Sequence, residues 1–344
     1  MLDLLIFNYE IVMRIKKIFK KALLSIHFHQ LLKFLNRRKV VLLTYHGFYD
    51  EDKKSGLELL SNRWTDIEFF KKQILYLSKN YNIISLDNLI NHYIEGTSIP
   101  QNSVVITMDD GYKSNFNLAY PYLEELGCHF TIFLSTEFIE NNKFNWSERV
   151  EYAIWYSKGD SLSIMIDNVE TTYSIKSSEQ KIYVSKYIKQ FLQTASQHVR
   201  ETVLSEIELH TGSVLEFKTA PELMLPLSWD EVVRMSKSNL AIFGSHTVSH
   251  PNLTTCSIPD IKNELLVSRN IIQTRTNNLC EYFCYPGGAY NKIVKNVVEE
   301  CGYKCALAVG ESFEIMGVTD LYEIKRKSVG RNMTEGDFKF KLSY

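Results

Sequence analysis

Val104-Val105-Ile106-Thr107-Met108-Asp109-Asp110-Gly111 is an apolar, β-branched run that stops abruptly at two carboxylates and a glycine. A run of that kind reads as a strand buried on both faces, delivering functional groups at its carboxyl end. The pattern recurs at Ile242-Phe243-Gly244-Ser245-His246-Thr247-Val248-Ser249-His250, which ends in two imidazoles. Lys39-Val40-Val41-Leu42-Leu43-Thr44-Tyr45-His46-Gly47 ends in a histidine, and Tyr282-Phe283-Cys284-Tyr285 runs into Pro286-Gly287-Gly288. Helical patterns lie between these runs. Ser61 to Asn80 has apolar positions at Ile67, Phe70, Ile74 and Leu77, and further helices are expected over 259–276 and 291–300. Strands alternating with helices across short turns predict a parallel α/β core, open or closed into a barrel. Polar groups at four carboxyl strand ends suit the active face of a β/α barrel.

Residues 140 to about 225 break the rhythm. They are rich in charged and amide residues, begin with Trp146 and Trp155, and contain a long helical stretch from Glu179 to Thr211. This is a mostly helical insertion lying over one face of the core, closed by Pro221 and Pro226. Its tryptophans either line a sugar-binding groove or pack the insertion onto the core. The core resumes at Ser228-Trp229-Asp230-Glu231, a capping box that opens a helix.

Composition narrows the functional classes. The chain has 344 residues, of which 45% are hydrophobic and 23% charged, enough for a large core. Its net charge of -1 carries no nucleic-acid signature. Charge is uneven, however. Residues 1–39 hold nine Lys/Arg against Asp3 and Glu10, leaving 30 of the 39 basic and 38 of the 40 acidic residues to the body. Apolar positions Ile15, Ile18, Phe19, Ala22, Leu23 and Ile26 interleave with those lysines. This basic amphipathic arm either lies on an anionic membrane surface or packs on the body over residues 40–344. No secretory pattern and no uncharged run of about 18 residues is present, so the expectation is a cytoplasmic protein with at most a peripheral membrane contact. The six cysteines, in pairs such as Cys280/Cys284 and Cys301/Cys305, lack tight zinc-site spacing and read as small, reduced core residues.

The chemistry follows from residue type. A hydrolytic zinc-type site needs three His or Asp/Glu ligands and an open position for water. Asp110, His246 and His250 supply that count. Neighbouring side chains on a strand face opposite ways, so one carboxylate can bind metal while the other takes a proton from water. The four-residue spacing of His246 and His250 suits one side of a helical turn. His46 is either a satisfied core histidine or a catalytic one.

Thr107-Met108-Asp109-Asp110-Gly111-Tyr112, Ser245-His246-Thr247-Val248-Ser249-His250-Pro251-Asn252-Leu253 and Tyr285-Pro286-Gly287-Gly288 resemble, in order, three motifs of the polysaccharide deacetylases, the NodB-like carbohydrate esterases. The resemblance spans about residues 40–331. It implies a distorted β/α barrel that removes N-acetyl, less often O-acetyl, groups from a polysaccharide or glycoconjugate with one divalent metal ion, zinc being the expected one. By position it makes Asp109 the general base and Asp110, His246 and His250 the metal ligands. It puts an oxyanion-binding backbone N–H near Gly287, within Tyr285-Pro286-Gly287. The arginine that usually orients the base is absent from the third motif, and Arg326 or Arg331 is expected to replace it. The usual late histidine acid is also missing, which leaves His46 as the acid. An amidohydrolase acting on a small amide and a catalytically silent carbohydrate-binding relative remain alternatives.

Overall fold

A computed structural model of the chain describes residues 28–166, 169–311, 314–315 and 320–343. Most of the basic arm therefore lies outside the described residues. Its last part is a helix, Phe28–Leu35, that leaves Leu31, Phe34 and Leu35 exposed. Just beyond it, Asn36 Nδ2 donates to the Ser343 carbonyl at 2.8 Å, tying this segment to the body.

In chain order the strands are β1 (Lys39–Tyr45), β2 (Gly47–Tyr49), β3 (Trp64–Asp66), β4 (Asn82–Ile83), β5 (Ser103–Asp110), β6 (Phe130–Leu134), β7 (Ser161–Ile166), β8 (Val169–Ser174), β9 (Ala241–Ser245), β10 (Tyr282–Cys284), β11 (Cys305–Val309), β12 (Glu314–Ile315) and β13 (Ile324–Ser328). Seven of them run in the order β1-β13-β11-β10-β9-β6-β5, every pairing parallel. β5 returns to β1, with Leu43 opposite Ile106 and Tyr45 opposite Met108, which closes a distorted (β/α) barrel. β4 extends β5 in parallel, and β12 lies antiparallel on β1.

Alternation along the strands separates two cores. Leu42, Val105, Phe133, Cys284, Leu307 and Ile324 meet in one cluster inside the barrel. Leu43, Ile106, Met108, Ile132 and Phe243 pack outward against helices such as Ile67–Asn80 and Ile258–Thr276. The first of these helices starts later than its apolar periodicity suggests. Residues Trp64–Asp66 extend as β3 beside β2, and the Asp66 carboxylate caps the helix by accepting from the Phe69 N–H at 2.8 Å.

The segment over the barrel mouth has a core of its own, including Val150, Ile154, Leu162, Val184, Ile188, Leu204 and Ile207. The long helix expected over 179–211 is two helices, Ser178–Thr194 and Gln197–Thr211. Ser196 interrupts it, because its hydroxyl caps the second helix at the Val199 N–H. The hairpin β7-β8, absent from the sequence reading, completes this lobe. Five of the six cysteines are buried, all six are unpaired, and the two spaced pairs form no metal cluster among the described residues.

Candidate active site

The site is built at the carboxyl ends of the strands. Asp109 follows Val105 and Thr107 on the inner face of β5, so its carboxylate enters the barrel, where it is 3% exposed. There it meets Arg326, from the inner face of β13. Arg326 Nη1 donates to Asp109 Oδ1 and Nη2 to Oδ2, each at 2.7 Å, and Nη1 also donates to the Thr107 hydroxyl. Of Arg326 and Arg331, Arg326 is therefore the one bonded to Asp109. Thr44 Oγ1 lies 3.3 Å from Oδ2, and Cys284 Sγ lies against both partners. Burial works to raise the Asp109 pKa, but the guanidinium overrides it and holds the carboxyl well below its usual range.

Asp110 has the opposite environment. Its strand parity would send it out among the helices, yet its φ is +72°, a left-handed conformation unusual for a side-chain-bearing residue, and Gly111 follows at +88°. The turn brings Asp110 to the rim, where Oδ1 is buried without a hydrogen-bond partner among the described residues. It lies 3.6 Å from His246 Nε2 and 3.4 Å from His250 Nε2. Burial opposes ionisation here too, but the imidazoles of His250, His46 and His246 pull the Asp110 pKa down.

His246 and His250 are not on a helical turn. They sit in the loop after β9, with Thr247 and His250 also at positive φ, so their approach depends on loop supports. The Glu264 carboxylate accepts from the Val248 and Ser249 N–H groups at 2.7 and 3.0 Å and from the Ser249 hydroxyl. The Thr247 hydroxyl takes the His250 N–H. His246 Nδ1 is 2.8 Å from the Cys284 carbonyl, which can only accept, so Nδ1 carries a proton and Nε2 is the nitrogen turned to Asp110. Burial pushes the His250 imidazole down to about 4, so near neutrality it is an uncharged lone-pair donor.

One ligand atom from each of Asp110, His246 and His250 falls within 4.8 Å of the other two. A buried carboxylate oxygen with no partner among the described residues, facing the Nε2 atoms of two histidines, is a donor set that fits a divalent cation. Asp109, His246 and Cys284 meet the same distance criterion. That trio does not fit, because Arg326 already places a cation against Asp109 and Cys284.

The remaining predicted residues surround this pair of carboxylates. His46, after β1, lines the cavity, and its buried Nδ1 has no partner among the described residues. Burial lowers its pKa, against the pull of Asp110 and Asp109. In the turn after β10 the Tyr285 and Pro286 carbonyls accept from the Gly288 and Ala289 N–H groups. The Gly287 N–H, in a residue at φ +60°, stands outside those two turn bonds. Tyr285 contributes only backbone here. Its ring is buried against Tyr290 and its hydroxyl donates to the Tyr322 carbonyl. Trp146 lines the cavity, whereas Trp155 packs against Gly56. His92, His129, His198 and His210 do not line this cavity. Glu264 and Thr107 escaped the sequence reading. An acidic residue on a helix and a threonine inside a strand carry no local signal of such roles.

These residues open into a cavity of about 460 Å³, roofed by the helix Ser178–Thr194. The barrel resembles several solved structures. The Streptococcus pyogenes deacetylase PplD, crystallised with acetate, superposes with a TM-score of 0.59 at 16% identity, over 88% of this chain and 98% of that one. A de-N-acetylase from Aggregatibacter actinomycetemcomitans gives 0.55 at 15% identity, over 88% and 99%. IcaB from Ammonifex degensii gives 0.56 at 12% identity, over 89% and 98%. At such identities the likeness speaks for the fold alone. No curated relative matches the chain significantly. The sequence profile described as polysaccharide deacetylase matches residues 97–306, more than half of the chain, and takes in both the Asp109-Asp110 strand and the His246–His250 loop. On that match the chain belongs to the polysaccharide deacetylase family and is an enzyme of that class.

Proposed function

We propose that the chain is a metal-dependent hydrolase that removes N-acetyl groups from a polysaccharide or glycoconjugate. The observation that carries this reading is the contrast between two adjacent carboxylates: Asp109 is locked by a buried arginine, while Asp110 faces two imidazoles. Asp110, His246 and His250 hold the metal, with zinc favoured by the N/O donor set, and the ion supplies Lewis acidity at the acetyl carbonyl.

The other steps belong to side chains. Asp109 takes the proton from the attacking water, and Arg326 keeps that carboxylate ionised and aimed. The Gly287 N–H donates to the acetyl oxygen as negative charge develops on it. His46 gives a proton to the sugar nitrogen as the C–N bond breaks, leaving acetate and a free amine. The test is acetate release from N-acetylglucosamine oligomers by protein whose metal content is measured in parallel. Turnover with about one equivalent of metal is expected; full metal loading with no acetate would sink the reading. Full activity in His46→Ala would reject His46 as the acid.

A further inference from the structure

The roof of the cavity is more cationic than its chemistry requires. Arg63, Lys186, Lys189 and Arg200 line it, against Asp109 and Asp110 on the floor. Most of these charges are already matched. Arg326 neutralises Asp109, and Glu148 and Glu151 engage Arg63 and Lys189 from behind the wall. Lys186 and Arg200 form no ion pair among the described residues. Lys186 is exposed on the helix Ser178–Thr194, three, four and seven residues before Lys189, Gln190 and Gln193, which shares one helix face among these four lining residues.

Arg200 is the more telling of the two. It is only 5% exposed, and its guanidinium lies 5.0 Å from the Trp146 ring. Its Nε and Nη2 donate to the Leu192 and Ala195 carbonyls at 3.3 and 3.4 Å, which are long bonds to neutral acceptors. Glu201 is near, but Arg149 holds its carboxylate at 2.8 Å. A guanidinium buried without a counter-charge is costly unless an anion completes it. The guanidinium fork, with the Lys186 ammonium lining the same cavity, suits phosphate oxygens.

We propose that the substrate is an acetamido sugar bearing a phosphate, as monoester or diester, and that Lys186 and Arg200 hold that phosphate while the acetyl group lies over Asp109 and Asp110. The inference rests on the deacetylase reading for the acetyl group, and on the roof alone for the phosphate. The full chain would be assayed for acetate release from N-acetylglucosamine 1-phosphate, a uridine-diphosphate-linked N-acetylglucosamine, neutral N-acetylglucosamine trimer and an N-acetylglucosamine–uronate disaccharide. At least one phosphate-bearing substrate is expected to exceed the neutral trimer by about tenfold or more in kcat/KM at low salt. Raising the ionic strength shrinks that ratio. Lys186→Glu and Arg200→Gln should each lower it several-fold. If Arg200→Gln fails to fold, the exposed Lys186→Glu decides alone. Equal use of phosphorylated and neutral sugars, a preference for the uronate, or an unchanged ratio in Lys186→Glu overturns the phosphate site. Calorimetric binding of N-acetylglucosamine 1-phosphate separates the two readings. Binding that Lys186→Glu weakens, without acetate release, keeps the phosphate site and sinks the deacetylase reading.

Discussion

The floor and the roof of the cavity place charge in opposite ways. On the floor, Asp109 is matched by a bidentate arginine and Asp110 by two imidazoles, all supported by barrel strands and one braced loop. On the roof, Arg63, Glu148, Glu151 and Lys189 form a buried network, yet Lys186 and Arg200 stand outside it. The floor is organised for one fixed reaction. The roof sits on a lobe with a separate hydrophobic core and carries charges left over for whatever enters.

Substitutions can break that contrast, and the largest effect belongs to the floor. Asp110→Ala removes the only carboxylate of the trio proposed to hold the metal. It should abolish acetate release and the bound metal together, as read by elemental analysis. Retained metal would move the site elsewhere. Arg326→Met leaves Asp109 as an uncompensated buried charge, with an expected loss of about 3–5 kcal/mol in denaturant unfolding. It should also cut kcat by about 10²-fold or more by misaiming the Asp109 carboxylate. Unchanged kcat in Arg326→Met would deny the arginine its positioning role.

Glu264→Gln tests the loop brace. Weakened support of the His246–His250 loop should lower metal affinity by about 10–100-fold, measurable by competition with a chelator. Arg63→Met tests the roof. It leaves Glu148 and Glu151 with Lys189 as their remaining cation in the network, and about 3 kcal/mol of lost stability is expected. Limited proteolysis should report that loss within residues 140–225 before it reaches the barrel.

The smallest effect lies in the barrel wall, at Lys327. Burial pushes its ammonium down to about 8 from 10.5. Between those values the unfolded chain holds a proton that the folded chain has released, so stability should rise as pH climbs from about 8 to 10.5. Lys327→Met should flatten that slope and gain on the order of 1 kcal/mol at pH 7 in chemical denaturation. An unaltered slope would assign it to other groups.

Much of this was legible before any coordinates. The apolar runs ending in Asp109-Asp110, His246 and Pro286-Gly287-Gly288 are barrel strands with their polar ends at one mouth, as period and length predict. The capping box at Ser228 is present, with the Ser228 hydroxyl accepting from the Glu231 N–H. Other features were not legible. A histidine pair four apart looks the same on a helix as in a loop, and the loop is held by partners that spacing does not reveal, the Glu264 carboxylate and the Thr247 hydroxyl. The break at Ser196 was missed because the apolar spacing runs on through it, while a serine hydroxyl captures the next helix start. Arg326 and Arg331 were indistinguishable by type, and the register of β13 inside the closed barrel separates them.

The sequence by itself determined the strand–helix alternation, the residue types at the mouth and their order along the chain, because these depend on local periodicity and side-chain chemistry. By residue chemistry alone the two carboxylates are interchangeable; tertiary structure decides which meets Arg326 and which the imidazoles, in the order the resemblance implied. Strand parity sends Asp109 into the barrel, a left-handed residue swings Asp110 to the rim, and closure of β1 on β5 brings residues more than two hundred positions apart within hydrogen-bonding distance.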